Sequence, residues 1–437
     1  SHGKTLSIEE EKDAIGLRSV VGLGEVFSWT KVTKRDPKTI KSLKQMHENN
    51  CIINGHTAGA SGKKLNSYVS SGILSCHEPI NFDQVLERLR LGMWIMIREG
   101  SIRRDLKDII PLVLSHGTYK NRLMFCSDGL DPSDISNIGH IDHCVRESIR
   151  LGMNPIDAIS IASKNCFDYY KMGNEFGGIG PGKVADILIL DDYKKIKINK
   201  VILGGKIVVS NGKILERIHT PKVPIWMQKT VKLPKLTSKN FYVTSKNNTE
   251  TVNVISMKTE IVTKKNTADL SVKDLNIVSS YDKDIWKVVA MDRTFGSKTK
   301  TIGFLENFGA NIGAFASTWS FHENDMIVIG SNERDMADAT NKLVKSQGGI
   351  IVVKDGKTLA SLPFQMGGII STDPIDKVTK NFTKINDVLL DAGCKFKKPH
   401  LIPLFLPFLA LPDIRILYNG IVDVKTRQFI PTIQTNV

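Results

Sequence analysis

The chain has 437 residues, 41% of them apolar and 24% charged. That is the balance of an ordinary soluble globular protein, with room for two or three domains and a substantial core. No apolar run reaches the roughly 20 residues of a membrane span, and the longest, around 401–411, is broken by Pro403 and Pro407. The net charge of +15 raises nucleic acid as a partner, but the lysines are scattered. Their clusters at 194–200 and 217–250 lack aromatic interleaving, so nucleic acid is not the expected partner. The six cysteines form no CxxC pair, which argues for reduced thiols, a cytoplasmic location and no cysteine-based zinc site.

Taken in chain order, residues 4–17 read as a helix and VVGLGEVF (20–27) as a strand. A helix over 36–50 leads into the strand CIING, and a short helix ends at Gly72 before ILSC. A helix over 81–91, with Asn81 or Asp83 near its cap, precedes the strand MWIMIRE (93–99). A helix over 101–116 precedes the strand LMFCSD (123–128), after which a loop, a helix and a further helix over 156–171 follow. This alternation predicts parallel βα units of a (β/α)8 barrel of the TIM type. Only about five of the eight strands are present, so the barrel is expected to be incomplete, with three strands before Ser1. The polar, acidic start without an initiator Met suggests that the chain begins inside a domain. The expected organisation is barrel over 1–172, a β-sandwich return segment over 173–217, a Pro/Lys/Thr-rich linker over 218–250 and an α+β domain over 251–437. Within the second segment, Asn211-Gly212 signals a hairpin turn. The last domain should hold the strands VNVISM, TIGFLENFG, DMIVIGS and GIIVVKDG and helices over 333–346 and 374–392.

Four of the early strands end on metal-ligand types: Glu25, His56, His77 and Asp128. Catalytic residues of such barrels sit at the C-terminal strand ends, so a divalent-metal site and metal-assisted hydrolysis are expected. Glu25 lies between apolar residues, where a carboxylate needs a metal or an ion-pair partner. Asp128 can bind metal and move a proton, or cap the next helix. Glu78 follows His77 and is read either as an acid/base or as an exposed loop carboxylate. Glu99, Ser101, His140 and Asp142 are candidate substrate contacts, with helix capping as the alternative for Ser101, His140 and Asp142. In the last domain, His322, Glu323 and Asp325 precede an apolar strand, either reaching over the barrel mouth or forming an ordinary polar loop. No Walker or dinucleotide fingerprint is present.

The runs INGHTAGASGKKLNSYVSSGILSCHEPI, IREGS, SDGLDPSDISNIGHIDHCVRESIRLGMNPIDAISIASKN and GGIGPGKVADILILDD resemble the adenine deaminase family of the amidohydrolase superfamily. So do DIWKVVAMDR, GAFASTWSFHENDMIVIGSNERDMADA and LPFLALPDIRILYNGIVDV in the last domain, in the family's order. The resemblance implies a barrel with a composite β-sandwich and an appended C-terminal domain. It implies a one- or two-metal centre, Mn(II) or Fe(II) first and Zn(II) second, that hydrolyses the small-molecule purine adenine to hypoxanthine and ammonia in purine salvage. Glu25 would be the carboxylate ligand, His56 and His77 the later-strand ligands, and Asp128 the last-strand aspartate, with Asp128 or Glu78 passing a proton to the leaving amine. The chain departs from the family in three places. It has no His-x-His, it has Gly129 where the family has a second aspartate, and residues 321–325 replace both histidines of a His-Asp-Ser-His-Asn run. The alternatives are another purine or a cyclic amide as substrate, or a non-catalytic relative that binds nucleic acid. Oligomeric state stays open, a homo-oligomer being one outcome.

Overall fold

The computed structural model describes residues 6–117, 119–217 and 222–434. The chain divides into two compact units, one within Thr5–Thr220 and one within Pro221–Val437. Lys4 and Thr5 of the expected first helix, and residues 218–221 of the expected linker, lie outside the described residues.

The first unit begins with helix α1 (Ile8–Ile15), closed by a capping box between Ser7 and Glu10. Five parallel strands follow: β1 (Gly22–Val26), β2 (Ile52–Gly55), β3 (Ser75–Cys76), β4 (Trp94–Arg98) and β5 (Leu123–Cys126). β1 pairs with β2, and β4 pairs with β3 on one side and β5 on the other. Between β2 and β3 the backbone of Gly55 donates to the Ser75 hydroxyl at 3.3 Å. A Cβ at Gly55 would lie 2.5 Å from the Ser75 carbonyl oxygen, so only glycine lets these strands approach.

Helices α2 (Trp29–Thr33) and α3 (Pro37–Glu48) connect β1 to β2, and α4 (Gly62–Val69), α5 (Phe82–Arg90) and α6 (Leu106–His116) make the next three connections. Their starts are chemically marked. Asp36 accepts from the Thr39 amide ahead of Pro37, and Asn81 accepts from the Gln84 amide. α6 starts later than the sequence suggests, because Gly100 donates to the Arg103 carbonyl and Glu99 bridges Arg104, turning residues 100–105 into a loop. After β5 come α7 (Pro132–Asn137), α8 (Ile141–Arg150), α9 (Pro155–Ala162) and α10 (Lys164–Tyr169). The single helix expected over 156–171 is thus two, broken at Ser163, whose backbone is non-helical. Ile95, Ile97, Leu123 and Phe125 pack against Val85, Leu89, Ile109, Val113 and Val145, so the βα units share one core.

The unit closes with an antiparallel meander of β6 (Ile187–Asp192), β7 (Lys197–Leu203), β8 (Lys206–Ser210) and β9 (Lys213–Ile214). Asn211 and Gly212, at φ of 49° and 73°, make the tight turn that their dipeptide signals.

The second unit is built on a nine-stranded sheet. Its strands are β10 (Thr249–Met257), β11 (Thr263–Lys273), β12 (Asn276–Ile277), β13 (Ile285–Asp292), β14 (Lys300–Glu306), β15 (Ala314–Ser317), β16 (Asp325–Gly330), β17 (Gly349–Lys354) and β18 (Lys357–Pro363). They lie in the order 12-11-10-14-13-16-15-17-18. Strand alternation sends Val288 and Ala290 to one face and Val289 and Met291 to the other. The first face packs on α12 (Ile375–Asp391), α13 (Leu401–Phe405) and a small sheet of β19 (Ile414–Leu417), β20 (Gly420–Asp423) and β21 (Gln428–Ile430). The second packs on α11 (Glu333–Ser346).

Residues 222–250 belong to this unit instead of forming the expected linker. Val231, Leu236 and Phe241 are buried against Val289, Met291 and α11. Leu236 and Asn341 exchange two hydrogen bonds of 2.9 Å. The Nζ of Lys287, only 1% exposed, donates to the Phe241 carbonyl, Asn276 and Glu333.

Candidate metal centre

The C-terminal ends of β1 to β5 bring together Glu25, His56, His77, Glu78, Arg98 and Asp128. One ligand atom each from His56, His77 and Glu78 lies within 4.8 Å of the others. Glu78 Oε1 stands 3.3 Å from His56 Nε2 and 3.4 Å from His77 Nε2, and Glu25 Oε2 stands 3.5 Å from His77 Nε2. The two imidazoles meet edge to face with centroids 5.4 Å apart, and Phe27 covers His56 at 4.5 Å.

Arg98 faces the same site from the end of β4. Its Nη1 donates to Glu78 Oε1 at 2.7 Å and to Asp128 Oδ2 at 2.6 Å, while Nη2 reaches Glu78 Oε2 at 3.3 Å. Asp105 stands 3.8 Å from Arg98 Nε and accepts from Arg103 at 2.6 Å. Asp128 holds a left-handed backbone at φ 54°, a conformation that aspartate tolerates better than most residues. Behind it, Gly100 packs main chain on main chain, since a Cβ there would lie 2.0 Å from the Ser127 carbonyl oxygen.

The electrostatics follow from burial and neighbours. Burial lowers the His77 pKa and favours the neutral imidazole, the form that ligates metals. Burial raises the Glu25 pKa, partly offset by His56. Burial also works against the Glu78 carboxylate, but the His56 hydrogen bond and the Arg98 charge outweigh it and hold the group at about 2. Two imidazoles and carboxylates in this spacing fit a divalent first-row ion.

The other expected contacts are engaged nearby. Glu99 accepts from the Leu106 amide and lies 3.5 Å from His143 Nε2. Ser101 donates to Asp134 at 2.5 Å and accepts from the Asp131 amide. His140 Nε2 lies 3.0 Å from the Ser127 hydroxyl, one residue from Asp128. Asp142 pairs with Arg146 at 2.6 Å and accepts from the His140 amide. His322, Glu323 and Asp325 belong to the second unit, where His322 Nε2 lies 3.1 Å from Glu323 Oε1.

Arg98 is not evident from the sequence, where the run MWIMIRE closes on Glu99, whereas the strand ends at Arg98. Alternation carried through MWIMIR would have placed Arg98 on the inward face. Two supports were also hidden. The Tyr68 hydroxyl joins β1 to β2 at the site, and Arg88 donates to the Thr57 and Ala60 carbonyls after His56.

Parallel βα units with clustered imidazoles and carboxylates at their C-terminal ends define a hydrolase of the metal-dependent barrel class. The Amidohydrolase family model matches residues 19–208, and the Adenine deaminase C-terminal domain model matches residues 260–428. The chain is 57% identical over 433 residues to an adenine deaminase of Cenarchaeum symbiosum, covering 99% of this chain and 71% of that protein. It is 33% identical to an adenine deaminase of Kosmotoga olearia, covering 94% and 70%. It is 30% identical to one of Staphylothermus marinus, covering 98% and 72%. The chain therefore belongs to the adenine deaminase family of amidohydrolases.

Proposed function

We propose that this protein hydrolyses adenine to hypoxanthine and ammonia at a divalent-metal centre held by His56, His77 and Glu25, with Asp128 as the last-strand ligand. The observation that carries the reading is the convergence of His56, His77 and Glu78 within 4.8 Å, in a chain 57% identical to an adenine deaminase. A bound divalent ion supplies Lewis acidity and makes water a nucleophile near neutral pH. Glu78 and Asp128 serve as proton carriers, taking the proton released by water and delivering it to the departing amine. His77, kept neutral by burial, donates a lone pair and takes no part in proton transfer. Phe27 packs on one side of His56.

Mn(II) or Fe(II) is the proposed ion, with Zn(II) next, since a mixed imidazole and carboxylate set suits all three. His140, bonded to Ser127, and Ser101, whose amide bonds to the Gly129 carbonyl, flank Asp128 and are the foremost proposed substrate contacts, ahead of Glu99 and Asp142. The six free cysteines agree with a reducing compartment, for which the cytoplasm is proposed. Among the described residues, no helix is long and apolar enough to cross a membrane.

The test is ammonia and hypoxanthine formation from adenine by the full-length protein supplied with Mn(II) or Fe(II). Metal-dependent turnover is expected. No turnover from folded, metal-loaded protein would reject adenine and turn the search to other purines and cyclic amides.

A further inference from the structure

β4 is the middle strand of three, so a long side chain at its C-terminal end can reach the ends of both neighbours. Arg98 does so. It ends β4 opposite Cys126 of β5. One nitrogen, Nη1, binds Glu78 beyond β3 at 2.7 Å and Asp128 beyond β5 at 2.6 Å. Arg98 is 6% exposed, and Asp105 stands behind it, 3.8 Å from Nε, with its amide donating to the Arg98 carbonyl at 2.9 Å. A second cation, Arg103, lies 3.7 Å from Glu78 and 2.6 Å from Asp105. Two carboxylates brought to one side of a metal centre repel each other and would otherwise rotate apart or take up a proton. A planar, permanently charged fork can hold both at once, whereas an ammonium of the same charge has no such fixed geometry.

We infer that Arg98 is a positioning residue, which clamps Glu78 and Asp128 at a fixed spacing so that both proton carriers face the same substrate atom. The inference rests on the proposed deaminase reading for its catalytic consequence, but the clamp itself does not. Arg98 need not touch substrate, so its removal should act on kcat and leave KM nearly unchanged.

The test uses the full-length protein and three readouts. First, Arg98→Met should lower kcat for adenine by about 100-fold, with KM within about threefold and metal content unchanged. Second, Arg98→Lys should fold and bind metal like the parent yet recover less than about a tenth of kcat. Third, the melting temperature is measured for Arg98→Met in the parent and in a Glu78→Gln, Asp128→Asn background, both without metal. The loss in the parent, about 3–6 °C, should largely vanish in the neutral background. Equal losses in both backgrounds would overturn the clamp, even if Arg98→Met proved too unstable to assay. A coupled melting effect with an unchanged kcat would overturn the positioning role. If the parent releases no ammonia from adenine, the deaminase reading fails, and the melting cycle still decides the clamp.

Discussion

The Tyr68 hydroxyl donates to the Val26 carbonyl at 2.7 Å and accepts from the His56 amide at 3.0 Å. It thereby ties the residue after Glu25 to the residue that begins the β2 ligand loop. Tyr68 is 0% exposed, so Tyr68→Phe leaves a buried carbonyl and a half-buried amide without this partner. We predict a loss of about 1–3 kcal/mol of stability and roughly tenfold weaker metal binding, as for other supports behind metal ligands. Titration calorimetry with Mn(II) checks this, and parent-like affinity would show that the two strand ends hold their spacing without it.

His56→Ala and His77→Ala should each strip the protein of metal and activity together, because each removes one of few nitrogen donors in the cluster. Elemental analysis after purification is the check. A full metal complement in either variant would remove that residue from the ligand set.

Glu78→Gln should keep the metal and lower kcat by about 10²–10⁴-fold, since the amide preserves size and loses basicity. Metal content and kcat are measured on the same preparation. Loss of metal would recast Glu78 as a ligand, and an unchanged rate would take it out of the proton path.

In the second unit, Lys287 is buried and bound to the Phe241 carbonyl, Asn276 and Glu333. Removing it takes a charged donor from three acceptors, although Asn276 keeps the Val243 amide and Glu333 keeps the Asn276 side-chain amide. Lys287→Ala should cost about 3 kcal/mol, at the low end for buried pairs because Glu333 is partly exposed. Urea unfolding measures it, and a change under about 1 kcal/mol would mean that water replaces the ammonium freely.

Asp325 provides a pH test. Burial raises its pKa to about 7 from an ordinary 3.8, with the Tyr418 amide opposing and Glu323 adding to the rise. The folded state therefore keeps a proton that the unfolded chain has released, so stability falls as pH rises from about 4 to about 7 and then levels. Asp325→Asn should flatten that slope. If the slope survives the substitution, another group is its source.

The parallel strands of the first unit were legible because each is a short apolar run closed by a polar residue or a turn. The helices α11 and α12 were legible from their periodicity. β11 was not, since TKKNTADLSVK is mostly exposed and is held as a strand by nine pairs with β10, which no local pattern announces. The stretch 222–250 misled for the converse reason. Its abundant Pro, Lys and Thr conceal three anchors, Val231, Leu236 and Phe241, whose burial depends on residues about 50 to 100 positions away. At the site, residue types were readable from the sequence. Which carboxylate faces which imidazole depends on register and on Arg98, and both are tertiary properties.

The missing side chain of Gly100 sets how close the last two parallel strands can come. A methyl group there would act as a wedge, 2.0 Å from the Ser127 oxygen and 2.6 Å from the Gly129 oxygen. It would push Asp128 away from the arginine without altering a single charge. A variant such as Gly100→Ala would keep every polar group of the centre and lose their convergence, so the chemistry here depends on an empty volume as much as on any functional group.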